Sequence, residues 1–148
     1  MKINLKDAFL LDRYEKELSL LLDVGEDLNT LADFKKSPSA TFSIKGKYGL
    51  VVCETKIDAE FTTYCCRCLA QVDDRLSISN SKRIITDPLK EDEETILIDK
   101  NYFLDCDEEA RNQIILDFPD RFLCSEDCKG LCPVCGCNLN EQQCACEN

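Results

Sequence analysis

The residues best suited to chemistry are cysteines, and seven of the twelve lie in the last 25 positions. Cys132 and Cys135 bracket C-P-V-C, a spacing that lets both thiolates face one ion. Eight residues then separate Cys135 from the C-A-C unit of Cys144 and Cys146. Four thiolates from two short segments predict a closed tetrahedral site for Zn²⁺. This region has too few large apolar residues to fold by burial alone, so we expect the metal to supply much of its folding free energy.

A second cysteine group, Cys65 and Cys68, has the C-x-x-C spacing near the middle of the chain. By itself this pair is half of a metal site, a redox pair or two buried thiols. Cys124 and Cys128 form a C-x3-C unit that the first site leaves over. These two pairs can complete a second tetrahedral site, which would staple the C-terminal region to the preceding domain.

A one-site arrangement remains open beside the two-site arrangement. It draws on Cys128, Cys132, Cys135 and either Cys144 or Cys146. The chain is therefore expected to bind one or two Zn²⁺ ions. Four further cysteines belong to neither arrangement, and two of them, Cys53 and Cys106, are expected to be small, partly buried side chains. The four are Cys53, Cys66, Cys106 and Cys137.

Length and composition are those of one cytoplasmic domain with an appendage. The chain has 148 residues and no apolar run of the roughly 20 residues that a membrane span needs. Charges interrupt the N-terminus where a signal peptide would be apolar. Twelve cysteines in a reducing compartment indicate metal binding, with a secreted disulfide scaffold as the alternative.

The net charge of −11 bears on the choice of partner. Proteins that grip nucleic acid through phosphates usually have a basic face, and no concentrated block of Lys and Arg occurs here. Acidic residues cluster at positions 91–94 and 105–109. They either keep the protein in solution or form a surface that attracts a basic partner, such as a ribosomal protein.

Alternating apolar residues predict several short strands, at Ile3 and Leu5, in the second half of residues 8–24, and over residues 57–64, 76–85 and 95–98. A hairpin is predicted to turn near residues 46–49. The expected fold class is α+β, with a small antiparallel sheet or half-open barrel, one main helix and a C-terminal module of the zinc-ribbon type.

The main helix is predicted to begin at Asp105, a good N-cap with Glu108 three residues later, and to end at Pro119. We expect it to bury Ile114 and Ile115 against the sheet. The predicted β-rich domain therefore covers residues 1–118, and the cysteine-rich metal-binding tail covers residues 119–148.

Two motifs carry a resemblance to a known family. They are Y-C-C-R-C-L-A-Q-V in mid-chain and L-C-x3-C-K-G-L-C-P-V-C-G-C-N-L-N-x3-C-A-C in the tail. Together they resemble the large ribosomal RNA subunit accumulation protein YceD family, from whose pattern Cys66 and Cys137 depart as extra cysteines. The matching positions are Cys65, Arg67, Cys68, Leu69, residues 116–119, Cys124, Cys128 to Cys132, Pro133, Cys135, Gly136, Asn138 to Asn140, Cys144 and Cys146.

The resemblance implies a role in the accumulation or processing of large-subunit ribosomal RNA, without established catalytic chemistry. Some family members lack the cysteine-rich tail, which implies that the metal supports the structure and that the shared function lies on the β domain. Ribosomal RNA or a basic ribosomal protein is the implied partner.

The residues themselves also argue against an enzyme. The chain has no histidine, which excludes a His-ligated zinc hydrolase and a zinc deaminase of the His-x-Glu type. An iron–sulfur protein and a thiol oxidoreductase using Cys65 and Cys68 stay open as alternatives. Arg67, Lys129 and Arg121 are weak candidates for RNA or partner contact, since cations near thiolates are expected on electrostatic grounds alone.

Overall fold

The centre of the fold is an open β-sheet, seen in a computed structural model that describes residues 1–146. Its four long strands are antiparallel neighbours. In sheet order they are β2 (Arg13–Leu21), β4 (Ser39–Lys47), β5 (Leu50–Tyr64) and β6 (Gln71–Ile85). The short β3 (Asp33–Phe34) pairs with the far end of β5, and β7 (Thr95–Leu97) lies parallel to β6 at the edge.

Period-2 alternation gives this sheet one buried and one open face. Along β4 and β5, every second side chain is buried, among them Phe42, Ile44, Ile57 and Phe61. Successive residues of a strand point to opposite sides, so the intervening polar residues face solvent. The core therefore lies on one side of the sheet only.

Short elements and one main helix cover the buried face. The main helix α3 (Cys106–Asp117) contacts β6 and a two-stranded sheet of β1 (Lys2–Asn4) and β8 (Phe103–Asp105). The small helix α1 (Lys6–Leu10) packs on β4 and β5. The remaining helical segments are α2 (Glu26–Asn29) and a 3-10 turn (Pro88–Lys90).

The predicted α+β class, with an open sheet and one main helix, is confirmed. The hairpin turns between Lys47 and Leu50, as expected. One pairing differs from the antiparallel expectation, because β7 returns parallel to β6 after the acidic loop of residues 86–94. A crossover of this kind needs an intervening connection rather than a tight turn, and the loop supplies it.

The start of α3 is as predicted, but part of its predicted buried face is wrong. The Asp105 side chain accepts a hydrogen bond from the Glu108 amide at 3.3 Å, which caps the helix. Ile114 is fully buried, whereas Ile115 is 42% exposed. Consecutive helical residues point about 100° apart, so both isoleucines cannot face the same sheet.

An aromatic cluster connects the core with the segment after α3. The ring centroid of Phe61 lies 4.9 Å from that of Phe118 and 5.5 Å from that of Phe122. The Phe34 ring packs against the same group in a tilted arrangement, with its centroid 5.9 Å from that of Phe61. These contacts hold the segment that follows α3 against the sheet. Phe122, the last ring of the group, lies two residues before Cys124. The division of the chain after residue 118 stays a prediction.

Within residues 1–146, no helix combines the length and apolar character needed to cross a membrane.

Candidate metal centres

The first C-x-x-C unit forms the tip of the long β5–β6 hairpin. The Cys65 amide donates to the Ala70 carbonyl at 2.8 Å, and the Leu69 amide donates to the Cys65 carbonyl at 3.0 Å. The last paired residues of the two strands, Tyr64 and Gln71, lie immediately outside this turn. The hairpin therefore holds both thiols at a fixed end of the sheet.

The second C-x-x-C unit repeats this turn bond for bond. The Cys132 amide donates to the Cys137 carbonyl, and the Gly136 amide donates to the Cys132 carbonyl, both at 2.8 Å. An isolated antiparallel bridge between Leu131 and Asn138 takes the place of the flanking strand pair. The residue after the second cysteine has positive φ in both turns, 60° at Leu69 and 75° at Gly136. The same local geometry thus presents two thiols at each of two places.

The first cluster joins the sheet to the segment after α3. It consists of Cys65, Cys68, Cys124 and Cys128, whose sulfurs all lie within 4.8 Å of one another. The Sγ atoms of Cys65 and Cys128 are 3.7 Å apart, and those of Cys68 and Cys124 are 3.5 Å apart. Three of the four side chains are buried, and Cys124 is exposed.

The second cluster lies wholly within the tail. It consists of Cys132, Cys135, Cys144 and Cys146, again with all sulfurs within 4.8 Å. The Cys144 sulfur is 3.3 Å from that of Cys132 and 3.8 Å from that of Cys135. Only Cys132 is buried, so this cluster is the more accessible of the two.

Both donor sets fit a tetrahedral metal ion. Bonds of about 2.3 Å from a metal to four thiolates place the sulfurs about 3.8 Å apart. The four measured separations, from 3.3 to 3.8 Å, lie at or slightly below that value. Two clusters of four thiols could therefore each bind a metal ion.

Backbone amides prepare the first thiol of each turn to be a ligand. The Cys68 and Arg67 amides donate to the Cys65 sulfur and lower the pKa of that thiol to about 6. The Cys135 and Val134 amides act in the same way on Cys132 and lower its pKa to about 6. Since the thiolate is the form that binds metal, hydrogen bonds to the charged sulfur favour binding.

One side chain of the tail outside the thiol sets contacts a thiol of the first cluster. The Asn140 Nδ2 donates to the Cys128 sulfur at 3.4 Å, and the Asn140 Oδ1 accepts from the Lys129 amide at 2.9 Å. In the sequence, Asn138 and Asn140 stood out only as positions of the family motif, and this contact was not predicted. Their position in the N-L-N run, between the two cysteine pairs of the second cluster, was the available clue.

The predicted RNA-contact candidates are exposed around the first cluster. Arg67 lies inside the hairpin turn, and its Nη1 donates to the Cys128 carbonyl at 3.1 Å. Lys129 follows Cys128 directly, and Arg121 precedes Cys124 by three residues. Arg67 thus has a structural contact of its own, while RNA contact by any of the three stays a prediction.

The structure brings together the eight thiols of the two-site arrangement and places Cys128 in the first cluster. That these thiols are metal ligands stays a prediction. Cys53 and Cys106 lie in the main core instead, and burial raises the pKa of each thiol to about 11. Cys66 is exposed, and Cys137 is half-buried in the second turn.

A comparison with family models decides the identity. The family described as Large ribosomal RNA subunit accumulation protein YceD matches residues 53–148, which is more than half of the chain. The chain belongs to the YceD family. The match begins within β5 and contains both thiol clusters. Membership implies a role in the accumulation of large-subunit ribosomal RNA. Neither the curated proteins nor the solved structures gave a match to this chain.

Proposed function

We propose that this YceD-family chain is a non-enzymatic factor for the accumulation of large-subunit ribosomal RNA, with two structural Zn²⁺ ions held by its cysteines. The observation that carries the proposal is the pair of four-thiol clusters, one of which fastens the tail to the tip of the β5–β6 hairpin. Residues of the two clusters then fix the hairpin tip, the segment after α3 and the tail relative to one another.

The spacing of the sulfurs suits a single metal ion in each cluster, and zinc is the usual occupant of such a structural site. A closed set of four thiolates, with amide donors to the sulfurs, is the usual structural zinc site and leaves no open position for a substrate. When bound, the ion supplies folding free energy to a tail that buries few apolar residues. Cysteine ligands also suit an iron–sulfur cluster, so iron is the alternative that metal analysis has to exclude.

A thiol redox function is disfavoured by the burial of Cys65 and Cys68. Reactive catalytic thiols are at least partly exposed, whereas these two are 0% and 6% exposed. The partner that we propose is ribosomal RNA or a basic ribosomal protein. The net charge of −11 favours a basic protein, and local groups of cations are the surfaces that could contact RNA.

Metal content of a matched pair of variants tests the two sites. We expect two zinc ions per wild-type chain and one per chain in Cys65→Ala, because the first cluster loses a ligand. Cys66→Ala changes the neighbouring exposed thiol and should keep both ions. Elemental analysis against protein mass provides the measurement. Full metal content in Cys65→Ala would refute the two-site proposal. Iron in place of zinc in the purified wild-type protein would refute the proposed identity of the metal.

The cellular role is tested by removing the gene from the organism that carries it. We expect large-subunit ribosomal RNA to fall relative to small-subunit RNA, and a plasmid copy to restore it. An unchanged ratio would contradict the proposed role.

A further inference from the structure

One end of the open sheet face carries an excess of cations. Residues directly opposite each other in antiparallel strands point to the same side of the sheet. Arg13 lies opposite Lys47 at the end of the β2–β4 pair. In the next outward-facing row, Lys45 lies between Glu15 and Val52, and Val52 lies opposite Arg83. These two rows hold four exposed cations and one acid, in contrast with the net charge of −11 of the chain.

Arg13 and Lys47 are the two cations of this end that are free to bind a ligand. Lys45 lies 3.2 Å from a carboxylate oxygen of Glu54, and Arg83 makes an ion pair of 3.0 Å. Across residues 1–146, neither Arg13 nor Lys47 takes part in an ion pair. Their charges are therefore not committed to the fold.

Tyr48 stands at the tip of the β4–β5 hairpin in a backbone conformation that does not suit it. Its φ is 49°, and that of Gly49 is 82°, as in the two-residue turns of the I′ type. Such turns prefer Asn or Gly at the first position, and a bulky residue with positive φ is an outlier. The side chain is 76% exposed, so burial does not compensate the strain. Strained residues of this kind concentrate at functional sites.

The ring and the free cations form one surface. The Lys47 ammonium lies 5.8 Å from the centroid of the Tyr48 ring. A shallow cleft beside them is lined by residues 12–15 and 45–48, and its acids are Asp12 and Glu15. Leu50, directly opposite Lys47, is 56% exposed and extends the apolar part of the surface.

We propose that this end of the sheet, formed by Arg13, Lys47 and Tyr48, binds single-stranded RNA. The inference rests on the proposed role in ribosomal RNA accumulation and names a contact surface for it. Tyr48 stacks on an unpaired base, and Arg13 and Lys47 contact the phosphates on either side. Any base has a face on which an aromatic ring can stack, so such a site tolerates different sequences. The family match begins at residue 53 and does not assign this surface.

The rest of the open face favours RNA over a protein partner. A protein interface has an apolar centre, whereas the next two outward-facing rows are polar throughout, with five hydroxyl residues beside Glu17, Glu54 and Lys56. Hydroxyl groups and cations are the side chains that contact phosphate and sugar oxygens. The outward-facing hydroxyl residues are Ser19, Thr41, Ser43, Ser79 and Ser81.

Replacing the strained ring separates RNA binding from folding. Binding of the full chain to a labelled, unstructured RNA of about 12 nucleotides is measured by fluorescence anisotropy. Tyr48→Asn should weaken binding about tenfold, whereas Tyr48→Phe should retain it. Asn suits the turn better than Tyr, so Tyr48→Asn should melt at the wild-type temperature or above. A loss of binding would then not be a loss of fold.

The cations are tested through the salt dependence of the same binding. The double variant Arg13→Ala, Lys47→Ala should reduce the slope of log K against log salt by about 1.4, because each single-strand phosphate contact contributes about 0.7. Tyr64→Asn removes another exposed ring, at the other end of β5, and Lys100→Ala removes an exposed charge elsewhere. Both control variants should bind like the wild type.

Three results would overturn the inference. They are wild-type affinity in both Tyr48→Asn and the double variant, no binding of single-stranded RNA by the wild type, and capture of a basic ribosomal protein, but not RNA, through Tyr48. The proposed cellular role is judged separately, from the ratio of large- to small-subunit RNA after gene removal. A normal ratio would refute that role, while a reduced ratio with no RNA binding would refute only this surface.

Discussion

At the scale of single residues, the side-chain amide of Asn140 joins the tail to the first thiol cluster. Asn140 lies between the two cysteine pairs of the second cluster, yet it donates to the sulfur of Cys128 in the first. Its oxygen also accepts from the Lys129 amide, which fixes the orientation of the amide group. Groups that hydrogen-bond to a metal ligand orient it and tune its affinity, so Asn140 is a positioning residue for the first cluster.

Replacement of Asn140 should therefore weaken a metal site of which it is not a ligand. We expect Asn140→Ala to lower the affinity of the first cluster by about tenfold, measured by competition with a coloured chelator. Gln142→Ala, an exposed change two residues further along, should leave the affinity unchanged. Equal affinities for wild type and Asn140→Ala would show that the contact with Cys128 does not support the site.

At the scale of elements, the two C-x-x-C turns have the same hydrogen-bond geometry but are stabilised by different surroundings. The first closes two strands of 15 residues each, which pair from Tyr64 and Gln71 to Val51 and Ile84. The second is flanked by a single bridge, between Leu131 and Asn138. The first turn thus has a sheet behind it, while the second depends on its own hydrogen bonds and on metal.

Removal of metal should accordingly unfold the tail and leave the sheet. Because the ladders between β2, β4, β5 and β6 need no thiol, a strong chelator should leave most of the β signal in far-UV circular dichroism. Proteolysis at Lys129, which is exposed, should become faster in the same sample. A parallel sample with chelator and excess zinc provides the control. Collapse of the whole β signal would refute this modular behaviour.

At the scale of the whole molecule, the aromatic cluster of Phe34, Phe61, Phe118 and Phe122 links the core to the metal-binding region. It joins β3, β5 and the segment after α3 in one apolar contact group. The Phe122 carbonyl also accepts a hydrogen bond of 2.8 Å from the Cys66 amide at the hairpin tip. The position of Cys124 in the first cluster therefore depends on packing as well as on metal.

Truncation of Phe61 should show how much the molecule depends on this cluster. The side chain is 1% exposed, and Phe61→Ala should reduce the free energy of unfolding by about 3–5 kcal/mol through lost burial and the cavity left behind. Phe103→Ala, at a position 47% exposed, should cost only about 0.5 kcal/mol. Urea unfolding followed by circular dichroism measures both. Equal costs would mean that the cluster contributes little to stability.

Much of the local structure could be predicted from the sequence. Alternation identified the strands because a sheet with one open face requires it, and Asp105 with Glu108 identified the start of α3. The prediction of its buried face was only half correct, because Ile114 and Ile115 are equally apolar and either could belong to the core. Which one is buried depends on the rotation of the helix against the sheet.

The sequence by itself determined the half-sites, the turn chemistry and the family. C-x-x-C spacing fixes two thiols within one turn because its geometry is local, and the motif around it is long enough to identify the family. Only the tertiary structure decided that the sulfur of Cys65 lies beside that of Cys128, that Asn140 reaches across to the first cluster, and that Arg13 meets Lys47 beside Tyr48. These contacts join positions far apart in the chain, and their distances depend on strand register and core packing, which spacing along the sequence does not encode.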